Sequence, residues 1–286
     1  MRIGVFDSGI GGLSTLLACA RYLPQAEYIY LADTAYAPYG DRKAEEIRTR
    51  SELAYEQFRQ WGVDALVIAC NTATSAAAGP LREFAQMPII GIEPAISKAL
   101  CHGSARILLL ATELTVRGEK LRQLLHSRDP LGRVLPLACP GWMDIIESQA
   151  PGWQELAKKY WQDRIAPKVS GVGSIVLGCT HYCWLDEEIS LWSGGMPVFD
   201  GNEGVARQVF RLLLGAEPPP IPDPLPASLQ VSLLFTSNPQ ERRQAAMRML
   251  GQKGVIEVAE YQQRDLLLPK LMMVPNRKNG HGIGQS

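Results

Sequence analysis

Two short runs of apolar residues, Ala65-Leu66-Val67-Ile68-Ala69 and Ser174-Ile175-Val176-Leu177-Gly178, each stop on a cysteine with hydrogen-bonding side chains directly behind it. Continuous branched apolar residues over this length read as a strand buried on both faces, and such strands belong to parallel sheets covered by helices. The first run delivers Cys70, followed by Asn71 and Thr72; the second delivers Cys179, followed by Thr180 and His181. In open α/β sheets, ligands bind outside the carboxyl ends of the strands. The repeated design predicts two thiols facing one another across one small substrate.

The rest of the chain alternates in the same manner. Strands are expected at Arg2–Phe6, Tyr28–Ala32, Pro88–Ile92, Ile107–Leu110, Val134–Ala138, Met196–Phe199 and Val231–Thr236. Between them, helical spacing appears at Leu13, Leu16, Leu17 and Ala20, and at Ile47, Ala54, Phe58 and Trp61, with Asp41 as the expected N-cap. Further helices are expected after Cys70, broken at Gly79-Pro80, and at Glu113–Leu125, from Trp142 to Glu147, Trp153–Val169, Asn202–Leu214 and Pro239–Leu250. Pro218–Pro226 reads as extended. The fold class is α/β: two doubly wound, mostly parallel sheets. A chain of 286 residues lies where one core stops growing and chains divide into domains. Leu266–Val274 is apolar but interrupted, and Asn276–Ser286 is polar and glycine-rich, so disorder is expected at the end.

Lys+Arg and Asp+Glu both number 29, so no net field recruits nucleic acid or an acidic membrane. No apolar run approaches the ~20 residues of a membrane helix. Arg2 leads straight into a strand, leaving no room for a signal peptide, which sets the expectation of a cytoplasmic protein with six reduced cysteines. Cys19, Cys101 and Cys139 read as small core hydrophobes. Cys179, His181 and Cys183 have no standard zinc spacing, and no metal is expected. The turn Asp7-Ser8-Gly9-Ile10-Gly11-Gly12, with Asp33 ending the second strand, invites a dinucleotide reading. Ser14 stands where the third glycine of that motif belongs, so the better reading is a turn whose N–H groups and Ser8 hydroxyl bind a substrate carboxylate.

Opposed thiols suit one chemistry in particular. Inverting a tetrahedral carbon requires a base on one face and an acid on the other, and a thiol titrates near enough to neutrality to serve as either. A redox disulfide is the rival, but no Cys-x-x-Cys occurs. The N–H groups of the segments behind Cys70 and Cys179 are expected to favour a thiolate. Asp7 and His181 stand at strand ends near the thiols, where each could tune a proton. Glu147, alone on a helix, has the weakest individual case.

Taken in order, Phe6-Asp7-Ser8-Gly9-Ile10-Gly11-Gly12, Leu31-Ala32-Asp33-Thr34, Pro38-Tyr39-Gly40, Ile68-Ala69-Cys70-Asn71-Thr72-Ala73-Thr74, Gly91-Ile92-Glu93-Pro94-Ala95, Ala111-Thr112-Glu113-Leu114-Thr115, Leu177-Gly178-Cys179-Thr180-His181-Tyr182 and Phe199-Asp200-Gly201 resemble the glutamate racemases of the cofactor-independent aspartate/glutamate racemase superfamily. The resemblance runs from residue 2 to about residue 250. It implies two α/β domains with the active site between them: a discontinuous first domain (1–97 with 207–264) and a second domain (98–206), followed by a tail (265–286). It implies that the thiol matching Cys70 takes the α-proton from D-glutamate and the one matching Cys179 takes it from L-glutamate. Asp7, His181 and Glu147 match the assisting acids. Asp7, Ser8, Pro38, Tyr39, Gly40, Cys70, Asn71, Thr72, Thr74, Thr112, Thr115, Cys179, Thr180 and His181 match substrate-binding positions. The same resemblance implies no cofactor, a homodimer, and D-glutamate supplied to peptidoglycan. Arg117 stands where a small residue is expected, and Gly141-Trp142-Met143-Asp144 departs from the usual aliphatic stretch. Some relatives carry an N-terminal extension that binds a cell-wall precursor; this chain opens on its first strand, so that control is expected to be absent. The alternatives are an aspartate or hydantoin racemase of the same superfamily, or a partner-binding role in restraining DNA gyrase, for which the neutral charge offers no support.

Overall fold

The structure is a computed structural model describing residues 1–220, 222, 224–255 and 257–259. Its strands are β1 (Arg2–Asp7), β2 (Glu27–Ala32), β3 (Ala65–Ile68), β4 (Ile89–Gly91), β5 (Ile107–Ala111), β6 (Val134–Ala138), β7 (Ser174–Gly178), β8 (Val198–Phe199), β9 (Ser228–Phe235) and β10 (Glu257–Ala259). They form a six-stranded sheet in the order β10-β9-β2-β1-β3-β4 and a four-stranded sheet in the order β6-β5-β7-β8. Every pairing among the described residues is parallel, including Val5 opposite Val67 in the first sheet and Leu109 opposite Val176 in the second.

Those orders decide where a ligand can bind. In the first sheet the chain leaves β1 for β2 on one side and later takes β3 to the other. In the second it leaves β5 for β6 and then takes β7 to the other side. Each sheet therefore has a topological switch point, β1/β3 and β5/β7, where the connections diverge and open a crevice at the carboxyl ends. The runs 65–68 and 174–178 are buried throughout, as their uninterrupted apolar composition requires. The chain passes between the sheets twice, and the two passages touch: a Cβ added to Gly201 would fall 2.3 Å from the Glu93 carbonyl oxygen, so only glycine allows that approach.

Several local expectations require correction. The helix Asn71–Phe84 runs through Gly79-Pro80 without a break. Pro80 forfeits one N–H bond, yet the buried face of Ala77, Ala78 and Leu81 carries the helix onward. Asp41 caps nothing; it closes the short turn Tyr39–Asp41, and the helix Ala44–Gln60 starts at Lys43 without a side-chain cap. Tyr39, buried and donating to Asp33 at 2.7 Å, holds that turn on the sheet. Gly118, extended at ψ 142°, divides the stretch after Glu113 into helices Glu113–Arg117 and Glu119–Arg128. Cys101 is exposed at a helix end rather than in the core. β10, three residues long, is too short to show a period in the sequence. The tail of residues 265–286, with the disorder expected at Asn276–Ser286, lies outside the described residues. Among the described residues, no helix is long and apolar enough to cross a membrane.

Candidate active site

Both crevices open into one small cavity. Ser8, Tyr39, Gly40, Cys70, Asn71 and Thr72 line it from the first sheet, and Thr112, Met143, Cys179, Thr180 and His181 from the second. The two cysteines thus share one space, each buried, at 6% exposure. The space left between the walls holds on the order of one water molecule.

Cys70 is the N-cap of the helix Asn71–Phe84, where its sulfur accepts the Ala73 N–H at 3.4 Å and its thiol donates to Ser8 Oγ at 3.7 Å. The helix terminus does not produce the expected thiolate. Burial dominates instead, joined by the nearby Asp7 carboxylate, and the Cys70 thiol is pushed up to about 12 despite those two hydrogen bonds. Cys179 lies 3.8 Å from His181 Nδ1. His181 Nε2 is 2.6 Å from Glu147 Oε2. Burial alone would lower the His181 pKa, but the hydrogen bonds to Cys179 and Glu147 carry it well above the ordinary value. The imidazolium is the protonation state that can donate to both neighbours, and its Nδ1–H stabilises negative charge on the Cys179 sulfur. Cys183 stands apart from this chemistry, with its thiol donating to the Cys179 carbonyl at 3.6 Å. Among the described residues, no group of three or more His, Cys, Asp or Glu side chains is arranged to hold a metal ion.

The glycine-rich turn has a different use from the one expected. Gly9 N–H donates to Asp7 Oδ1 and Ile10 N–H to Glu147 Oε2, both at 2.9 Å. These two N–H groups are committed to the protein's own carboxylates, leaving the Ser8 side chain to face the cavity. The turn is glycine because three titratable side chains lie against it. A Cβ at Gly9 would fall 2.5 Å from Glu147 Oε2, one at Gly11 2.5 Å from His181 Nδ1, and one at Gly12 2.7 Å from Asp7 Cβ.

Asp7 and Glu147 sit behind the cavity wall, where Asp7 accepts the Thr180 hydroxyl at 3.1 Å. Thr72, Thr112 and Thr115 form a triangle of hydroxyls at 3.0, 3.3 and 2.9 Å, with Thr72 and Thr112 on the wall. Asn71 also lines the cavity, and its Oδ1 is buried without a hydrogen-bond partner among the described residues. Two positions lie elsewhere: Thr74 donates to the Ile68 carbonyl at 3.0 Å, and Pro38 lines a neighbouring cleft. Asp33 is fully buried, spent on Arg50, Tyr39 and Thr236, and has no reach toward a ribose. Two residues of the site carry no motif: Met143, the cavity's apolar wall, and Arg242, whose Nη1 donates to Glu147 Oε1 at 3.0 Å. Arg242 lies nearly a hundred residues from its partner and becomes visible only in three dimensions.

Burial pushes the Asp7 carboxyl up to about 6, against the pull of His181 and the Gly9 N–H, with Glu147 adding to the rise. An acid whose folded pKa lies above its unfolded one binds extra protons when folded, so stability falls as pH rises through that interval and stays lowered above it. Asp7→Asn keeps an acceptor for Gly9. It is expected to stabilise the fold at pH ~8 by on the order of 1–3 kcal/mol and to confer no gain at pH ~4. Urea titrations at the two pH values test this; an unchanged midpoint at the higher pH would show that burying this charge costs nothing.

Comparison with known proteins finds relatives over most of the chain. Residues 13–209 match the family model described as Asp/Glu/Hydantoin racemase. The glutamate racemase of Clostridium perfringens (strain SM101) is 40% identical over 215 residues, covering 74% of this chain and 82% of its own length. That of Ectopseudomonas mendocina is 38% identical over 268 residues, covering 90% and 97%. The crystal structure of glutamate racemase from Thermus thermophilus in complex with β-chloro-D-alanine superposes with a TM-score of 0.71 at 30% identity, covering 93% of this chain and 98% of that one.

Proposed function

The chain belongs to the Asp/Glu/hydantoin racemase family, and from that premise we propose that it interconverts L- and D-glutamate by passing a proton between Cys70 and Cys179 through the substrate's α-carbon. One observation carries the reading: two sulfurs, at the switch points of two different sheets, line the same cavity. Substrate identity rests on relatives that are glutamate racemases at 38–40% identity.

In this mechanism the resting enzyme has a proton on Cys70, where burial holds it, and an imidazolium beside Cys179. That is the form for L-glutamate. Cys179 removes the α-proton from one face and Cys70 delivers its own to the other, leaving the protons exchanged between the sulfurs. Negative charge spreads onto the α-carboxylate as the C–H bond breaks, and neutral hydroxyl and amide donors of the wall stabilise it in a dry site. Asn71 Oδ1, unpartnered among the described residues, accepts from the ammonium. The Thr72 and Thr112 hydroxyls turn from their triangle with Thr115 to a carboxylate. A cavity of about one water must open to admit the substrate, so the walls carried by the two sheets separate during the cycle. The product would serve peptidoglycan synthesis in the cytoplasm.

Purified protein without added cofactor, incubated with L-glutamate in heavy water, is expected to form D-glutamate carrying deuterium at the α-carbon. D-Glutamate that keeps its original α-proton would rule out transfer through exchangeable thiols. Turnover of L-aspartate above that of L-glutamate would assign the chain to another branch of the family.

A further inference from the structure

Glu147 is held from three sides: by Ile10 N–H at 2.9 Å, by His181 Nε2 at 2.6 Å, and by Arg242 Nη1 at 3.0 Å. The first two contacts bring a backbone turn and an imidazole to Oε2, while Arg242 takes Oε1. Arg242 comes from the helix Pro239–Gln252, which follows the last long strand of the first sheet. Glu147 lies in the helix Trp142–Ser148, between β6 and β7 of the second. The pair therefore ties the two halves of the molecule together behind Cys179.

We propose that Arg242 is a positioning residue for the Cys179 arm: its guanidinium fixes the Glu147 carboxylate against His181 and sets the pH range in which the His181–Cys179 pair can act as a base. This rests on the racemase reading above. The packing argues against a purely structural part. Arg242 is about a quarter exposed, and its Nε is buried without a partner among the described residues. Burying an unsatisfied donor costs stability, so the Nε adds nothing to the fold. What the guanidinium supplies is charge. Around His181 and Glu147 the ionisable groups among the described residues include Asp7, Tyr30, Asp144 and Cys179, none of them a cation. Arg242 is a cation that offsets them from outside the cavity. Without it, the local potential becomes more negative, and His181 holds its proton more tightly.

Tighter proton binding fixes the sign of the effect. In Arg242→Met the whole pH profile of kcat/KM should move upward by about one pH unit, costing roughly tenfold on the acid side. Arg242→Lys, which keeps the charge, should stay near the parent profile. Because the equilibrium constant of a racemisation is one, kcat/KM must change equally in both directions, so the profile rather than the direction is diagnostic. The second readout is independent of turnover: the ring-nitrogen shifts of His181, one of four histidines, followed by NMR against pH. Its titration should move upward in Arg242→Met and not in Arg242→Lys. A folded Arg242→Met with both the parent pH profile and the parent His181 titration would overturn the proposal. If the parent protein fails to racemise glutamate, the functional reading is lost, and the NMR titration still decides the role of Arg242.

Discussion

Cys70→Ala and Cys179→Ala are each expected to lower racemisation of glutamate by at least about 10³-fold while leaving thermal unfolding close to that of the parent protein. Stereochemistry dictates the size of the loss. With one thiol missing, a proton can still leave and return on the remaining face, but it cannot arrive on the other. Each variant should therefore exchange the α-proton of a single enantiomer with heavy water, without inverting it: D-glutamate for Cys179→Ala, L-glutamate for Cys70→Ala. Fold integrity is expected because each sulfur is at the cavity wall, where its loss removes one weak hydrogen-bonded contact or two. Near-parent turnover by either variant would remove the two-base mechanism. Exchange of both enantiomers by one variant would place a second base in the cavity.

The thiols are legible in the sequence because a buried parallel strand announces itself by composition alone, and the residues just past its carboxyl end must face the crevice. Runs such as Ala65–Ile68 and Ser174–Gly178 need no partner to be recognised. The sheet orders cannot be read the same way, since nothing in a strand's residues names its neighbours. Nor can Arg242, a charged residue on a charged helix, whose role depends on a contact with Glu147 across the molecule. Glu147 has the sequence context of a surface residue and proves buried at 5% exposure, made acceptable by three hydrogen-bonded partners. The glycine-rich turn signals close approach to something, but the visitor differs from the one expected: protein carboxylates and an imidazole occupy the space assigned to a ligand.

Crowding at that turn makes it sensitive well away from the cysteines. Gly11→Ala is expected to lower kcat by about 10²-fold in a protein that folds normally. Gly11 is not among the residues with a left-handed backbone, so alanine meets no conformational penalty there. The added methyl group would lie 2.5 Å from His181 Nδ1, 2.7 Å from Cε1 and 2.8 Å from Cγ. One of the two must move. The turn is anchored by Trp184 Nε1 donating to the Gly11 carbonyl at 2.9 Å and by Ile10 N–H on Glu147. The ring is the softer element, and it is displaced from the position where Nδ1 faces Cys179 and Nε2 faces Glu147. Gly204→Ala, on an exposed helical turn with no atom within 4 Å of the new Cβ, is the matched control and should retain full activity. If Gly11→Ala turns over glutamate as fast as this control does, His181 is a bystander to the Cys179 thiol, and the tuning assigned to Glu147 and Arg242 has nothing to act upon.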